Sequence, residues 1–269
     1  MYLDYYNLTE FPFNITPDPR FLYFTRHHRE AYDHLIYGIE HRRGFIELTG
    51  EVGSGKTTLC RAVLQALDHS IETALILNPM LSGTQLIRAI LTDLGLDAQG
   101  NDLLDHIETL NEFLLTKNRE GTNVAVLIDE AQDLSQEVME QVRLLSNLET
   151  DQHKLIQIVL CGQPELKTRL ARPDLRQLRQ RITVRYHLPP LTHEETMMYI
   201  NHRLHTAGAN GNLVFDQGAS REVYKYAKGS PRLINAVSDN ALLAGYVSRT
   251  MTIDTGCVKR AIRQLEGNR

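Results

Sequence analysis

Residues 50–58 read GEVGSGKTT, and few folds accept that string. Gly50, Glu51, Val52, Gly53, Ser54, Gly55, Lys56 and Thr57 satisfy the pattern GxxxxGK[ST]. Its glycines permit a backbone whose successive N–H groups turn inward as a nest for an anion. An apolar run, FIEL at 45–48, precedes the string, and a helical pattern over 58–67 follows it. Glycine-rich loops of other kinds can share this spacing. A strand before and a helix after are what phosphate binding requires, because the start of the helix adds its positive end to the nest. On that reading Lys56 bridges the β- and γ-phosphates of a nucleotide and the Thr57 hydroxyl holds Mg²⁺. Thr58 supports the helix start or approaches the α-phosphate.

The rest of the chain supplies a sheet for such a loop. Strands are expected over 45–48, 74–77, 124–128, 155–160 and 182–186. Helices are expected over 29–41, 58–67, 84–94, 102–115 and 135–148, the last capped by Ser135. Strands that are apolar throughout and alternate with helices predict an α/β fold, a parallel sheet with helices on both faces. The pattern changes at Pro189-Pro190. Beyond it only helices are expected, over 194–205, 217–227, 231–244 and 254–265, with Thr252 or Asp254 capping the last. The boundary falls at about residue 190, giving an α/β nucleotide-binding domain (1–190) and a small all-helical lid domain (191–269). Residues 1–24 combine prolines with many aromatics and read as an irregular arm packed onto the body.

Composition narrows the class. With 23% charged and 42% hydrophobic residues, the 269-residue chain is that of a globular protein. Its formal net charge of −4 gives bulk charge no part in nucleic-acid binding, although a local basic patch remains open. Cys60, Cys161 and Cys257 are far apart and form no CxxC pair, as expected of buried free thiols in a reducing compartment. Neither a signal peptide nor a membrane-length apolar run is present, so a cytoplasmic location is expected.

A metal-binding carboxylate is the second requirement. VAVLIDE at 124–130 ends an apolar strand in Asp129 and Glu130. In open α/β sheets ligands bind at that edge. Asp129 would orient Mg²⁺, and Glu130 would polarise the attacking water as general base. A kinase would share the loop; the adjacent acid pair favours hydrolysis by water. An acidic strand end that is only structural is the alternative.

Further marks bear a resemblance. The segments are YYNLTEFPFNITPDPRFLY, GFIELTGEVGSGKTT, LIDEAQDLS, CGQPEL, LRQRITVRYHLPPLT and GSPRLIN. Together they resemble an AAA+ ATPase, a P-loop NTPase with a helical lid, of the ExeA/GspA (general secretion pathway protein A) type. The likeness covers nearly the whole chain. It implies ATP and Mg²⁺ as cofactors and a role in assembling the type II secretion apparatus. It puts Gln163 at the sensor-1 place, where that family more often has Asn or Thr; a plain turn residue is the other reading. It puts Arg181, and second Arg179, at the place of an arginine finger acting on a neighbouring subunit. It puts Arg232 at the sensor-2 place, projecting from a helix start toward the nucleotide, and makes Phe21, Tyr23 and Phe24 walls of the adenine pocket.

The arginines at 169, 172, 176, 179, 181 and 185 read three ways: a finger with a subunit interface, a solvated face, or a nucleic-acid patch. Larger members of that family continue into a membrane span and a periplasmic part. This chain then represents the cytoplasmic part of an inner-membrane protein, or a short relative. Short relatives include transposition ATPases that bind DNA, so an ATP-dependent DNA-binding adaptor is the alternative function. Self-association and a secretion or envelope partner are the expected interactions, with indirect membrane association.

Overall fold

The computed structural model of the chain describes residues 1–67, 71–77, 80–98, 100, 102–150 and 153–267. In chain order the elements are α1 (Tyr2–Tyr6), α2 (Arg26–Glu40), β1 (Phe45–Gly50), α3 (Lys56–Ala66), β2 (Ile71–Ile76), α4 (Gly83–Asp93) and α5 (Leu103–Arg119). There follow β3 (Asn123–Ile128), α6 (Gln136–Leu145), β4 (Gln157–Gly162), α7 (Pro164–Leu170), α8 (Arg176–Arg181) and β5 (Ile182–Leu188). The chain ends with α9 (His193–Thr206), β6 (Val214–Phe215), α10 (Gln217–Ala227), α11 (Pro231–Val247), β7 (Thr252–Ile253) and α12 (Thr255–Leu265). They form two compact units: Arg29–Gly50 with Leu59–Leu188, and Met1–His28 with Glu51–Thr58 and Pro189–Arg269.

The first unit is a parallel sheet in the order β2-β3-β4-β1-β5. Its central strands are buried along their whole length, which is why VAVLI lacks any polar alternation. Successive side chains still serve opposite faces. Phe45, Val124, Val126, Ile158 and Ile182 join one core with Ile87, Ile90 and Leu91 of α4, Leu110 and Leu114 of α5, and Val138 and Val142 of α6. Ile46 points to the other face, where α2 lies so close that a Cβ on Gly38 would fall 2.5 Å from Ile46 Cδ1. The parallel sheet with flanking helices is therefore the one expected. Ser82, Asp102 and Ser135 cap α4, α5 and α6 through side-chain oxygens.

The second unit has its own core. Ile200, Leu204, Val223, Ile234, Val237, Leu242 and Val258 meet Tyr2, Tyr6, Phe13 and Phe21 of the arm. Apolar area removed from water is what fixes the arm, at about 25 cal/mol per Å². Tyr6 Oη also donates to Leu242 O at 3.0 Å. The buried Arg203 donates to Asn14 O (3.1 Å) and Tyr199 Oη (2.8 Å), and its guanidinium covers the Phe21 ring at 4.7 Å. Residues 1–28 thus group with the C-terminal helices, whereas the sequence reading placed them with the sheet. The region beyond residue 190 also departs from the all-helical expectation: β6 and β7 pair in parallel, Val214 with Thr252 and Phe215 with Ile253. Two-residue strands are too short to show alternation. Asp254 caps α12, while Thr252 lies in β7.

Candidate functional site

The phosphate loop, Glu51–Thr58, joins β1 to α3 and belongs to the second unit. Gly53 (φ 72°) and Gly55 (φ 94°) adopt left-handed conformations. A Cβ on Gly53 would fall 2.4 Å from Arg232 Cβ, so a side chain is excluded on two counts. Arg232 N donates to Gly53 O at 3.2 Å, and Ser230 Oγ donates to Val52 O at 3.2 Å. The start of α11 therefore grips the loop from its carbonyl side. Lys56 is buried and its Nζ donates to Glu51 O at 3.0 Å. Ser54 Oγ is buried and, among the described residues, has no hydrogen-bond partner. Carbonyls tied outward, a cradle only glycine fits and an orphaned buried hydroxyl suit a bound anion. Thr57 and Thr58 stand half-buried in the first turn of α3.

In the other unit β3 delivers Asp129 and Glu130 at its C-terminal end. Asp129 is 4% exposed and accepts the Glu130 N–H through Oδ1 at 2.9 Å. Its own N–H donates to Ile76 O at 2.9 Å, continuing the ladder to β2. A carboxylate kept from water fits a cation, and an oxygen donor of this kind suits Mg²⁺. Glu130 adopts φ 50°, ψ 37°, a left-handed conformation uncommon for its type. Its Oε2 accepts from Gln132 Nε2 (2.8 Å) and Gln163 Nε2 (3.2 Å).

Gln132 did not figure in the sequence reading. Besides binding Glu130, it accepts the Gln163 N–H on Oε1 at 3.0 Å, and Arg169 Nη1 donates to its carbonyl at 2.5 Å. A Cβ on Gly162 would meet Gln132 Oε1 at 2.7 Å, so the glycine makes room for this bridge between the ends of β3 and β4. The available signal was a second amide two residues after the acid pair, in LIDEAQ.

The remaining sequence candidates divide. Phe21 is 5% exposed, committed to its core and to Arg203. Tyr23 is half-buried; its hydroxyl meets Met198 Sδ at 3.2 Å and its ring the His202 imidazole at 5.5 Å. Phe24 is half-buried. Arg181 is tied to the C-terminal end of α6, where Nη1 donates to Ser146 Oγ and to Asn147 Oδ1 (2.8 Å). A cation at a helix C-terminus is favourable, so this tether has a structural cause. Its charge, after burial, holds the neighbouring Lys154 ammonium below its usual pKa. Arg179 is exposed and lines an open hollow of about 360 Å³ with Arg176, Gln180, Ile182 and Arg185. Arg185 pairs with the buried Glu47 at 3.2 Å. Cys60, Cys161 and Cys257 are buried and joined in no disulfide. Among the described residues no helix is long and apolar enough to cross a membrane.

Comparison with known proteins places the chain in a family. Residues 39–170 match the family described as AAA domain. The chain is 43% identical over 270 residues to General secretion pathway protein A of Aeromonas hydrophila, which covers 100% of this chain and 49% of that protein. The chain thus spans about half the length of the curated relatives it matches. Among solved structures it is similar to the ORC2 protein of Aeropyrum pernix (TM-score 0.69, 17% identity, 94% of this chain and 71% of that one). It is similar also to Cdc6p of Pyrobaculum aerophilum (TM-score 0.71, 15% identity, 94% and 70%). At these identities the likeness concerns the fold.

Proposed function

The chain carries an AAA ATPase domain homologous over its full length to General secretion pathway protein A, and from that premise we propose that it hydrolyses ATP to ADP and phosphate to assemble or remodel a bacterial secretion or envelope complex. The observation that carries the reading is Glu130, held in a strained conformation beside a buried Asp129 and gripped by two glutamines. Such strain clusters where a side chain has work to do. Glu130 takes the proton of the attacking water. Lys56 leaves Glu51 O for the β- and γ-phosphates, and the loop amides bind the same oxygens. Gln163 orients Glu130 and the water; Arg232, at the loop, responds to the γ-phosphate. Thr57 and Asp129 are the ligands we assign to Mg²⁺, which would neutralise charge on the phosphates. Tyr23 and Phe24 are the better candidates for the adenine wall, since Phe21 is spent on its core.

Self-association completes the proposal. A trans-acting arginine contributes about 10³–10⁵ in rate in other nucleotide hydrolases. Arg179, exposed, is better disposed for that role than Arg181, which would first have to leave Ser146 and Asn147. A second reading, an ATP-dependent DNA-binding adaptor, is favoured by the Arg176, Arg179 and Arg185 hollow, whose charge suits phosphates. ATPase activity against protein concentration, with particle size measured in parallel and with and without duplex DNA, tests both. Turnover per subunit that rises with self-association and ignores DNA supports the assembly ATPase. Turnover or oligomers that form only on DNA support the adaptor.

A further inference from the structure

A phosphate nest needs its N–H groups facing the anion, so its carbonyls must be satisfied on the far side. Three consecutive carbonyls of this loop have donors there. Val52 O and Gly53 O are bound by Ser230 and Arg232. The third, Ser54 O, lies 3.3 Å from His28 Nε2. Glu51–Thr58 and His28 belong to the same compact unit.

The protonation of His28 follows from its partners. A carbonyl only accepts, so Nε2 carries the hydrogen. Nδ1 is then the acceptor, and the Thr25 hydroxyl, 2.8 Å away, donates to it. Thr25 Oγ1 in turn accepts the His28 backbone N–H at 3.2 Å. His28 is 3% and Thr25 4% exposed, so water does not stand in for these bonds. Burial pushes the imidazole pKa down, against the opposing pull of the Ser54 bond, which keeps the ring neutral as this tautomer requires. The ring also packs on the loop: a Cβ on Gly55 would lie 3.5 Å from Nε2.

We propose that His28, its tautomer set by Thr25, is a positioning residue for ATP that holds the Ser54 carbonyl out of the phosphate nest. The proposal rests on the ATPase reading above and adds a residue to it. Without the Nε2–H donor the buried Ser54 carbonyl is unpaired and the peptide is free to rotate its oxygen toward the anion. Binding of phosphates is then weakened in ground state and transition state alike, so KM rises and kcat does not fall.

The test is Mg·ATP affinity by calorimetric titration, with steady-state kinetics alongside, on wild type, His28→Leu and His28→Gln. Glutamine places an amide N–H as many bonds from the backbone as Nε2. We expect His28→Leu to weaken ATP binding about 10-fold with kcat within about twofold, and His28→Gln to recover most of the affinity. Wild-type affinity in His28→Leu, equal weakening in both variants, or a loss confined to kcat overturns the proposal. If His28→Leu does not fold, Thr25→Val against Thr25→Ser decides. The valine should weaken binding about threefold and the serine should not; equal affinities overturn the proposal. A wild type that binds no ATP removes the ATPase reading and this inference with it. A wild type that binds, beside an unimpaired His28→Leu, removes the inference alone.

Discussion

The phosphate loop and the end of β3 both turn the backbone left-handed, and they do so with opposite residues. The loop uses Gly53 and Gly55 at φ 72° and 94°; the strand end uses Glu130 at φ 50°. In the loop the peptide groups do the binding, so side chains are dispensable and glycine removes the strain. At position 130 the carboxylate does the chemistry, so glycine is excluded and the strain stays, about 1–2 kcal/mol for a residue with a Cβ. The surroundings differ in the same way. Donors around the loop seize main-chain carbonyls, whereas Gln132 and Gln163 seize a side chain. Conformation is conserved by sterics in one place and by a polar clamp in the other.

The comparison breaks most visibly at Glu130. Glu130→Gln keeps the left-handed backbone and an oxygen for the two glutamines but cannot accept a proton. We expect kcat to fall by about 10²–10⁴ with Mg·ATP affinity nearly unchanged. Wild-type turnover would mean that the strain serves something other than base catalysis. Gly53→Ala attacks the loop. Its Cβ meets Arg232 at 2.4 Å in addition to the positive φ. ATP affinity should drop by about 1–3 kcal/mol, roughly 5- to 150-fold. Gly121, at φ 78° with nothing within 4 Å, is the control: Gly121→Ala carries the backbone strain alone and should leave affinity untouched. If both alanines weaken ATP equally, strain and not the Arg232 contact governs the loop.

Gln132→Ala sharpens the other side. It removes one of the two donors to Glu130 and leaves the Gln163 N–H without its acceptor. Net loss of about 1 kcal/mol in positioning predicts a roughly fivefold fall in kcat with KM for ATP unchanged. A raised KM instead would assign Gln132 to nucleotide binding.

Much of this was legible in the chain because the signals are local. GEVGSGKTT lies between its strand and its helix, VAVLIDE ends where the sheet edge is, and Ser135 caps the helix it was expected to cap. What escaped depends on distance along the chain or on extreme brevity. Arg181 binds Ser146 and Asn147, some 35 residues away, and no pattern around position 181 announces that tether. The aromatic arm announced that it was packed but not against what; Tyr6 finds Leu242 across 236 residues. Two-residue strands at 214 and 252 carry too few side chains to show a period. Gln132 sat in view, two residues beyond the acid pair, but only the left-handed turn at Glu130 swings it back onto that carboxylate.

The smallest effect isolates the strain itself. Glu130→Gly removes the Cβ that makes φ 50° costly, worth about 1–2 kcal/mol. It also frees the unfolded chain, which offsets about 0.5–1 kcal/mol. The lost bonds to Gln132 and Gln163 join half-buried groups that water can serve in their place. We expect a net gain near 0.5 kcal/mol, a rise in Tm of about 1–2 °C, in a protein that no longer turns over ATP. Glu130→Gln, equally inactive, should show no such gain because it keeps the left-handed side chain. A glycine variant less stable than the glutamine variant would mean that the polar clamp contributes more than the strain costs, and the phosphate loop and the end of β3 would then differ in chemistry but not in the way their backbones are held.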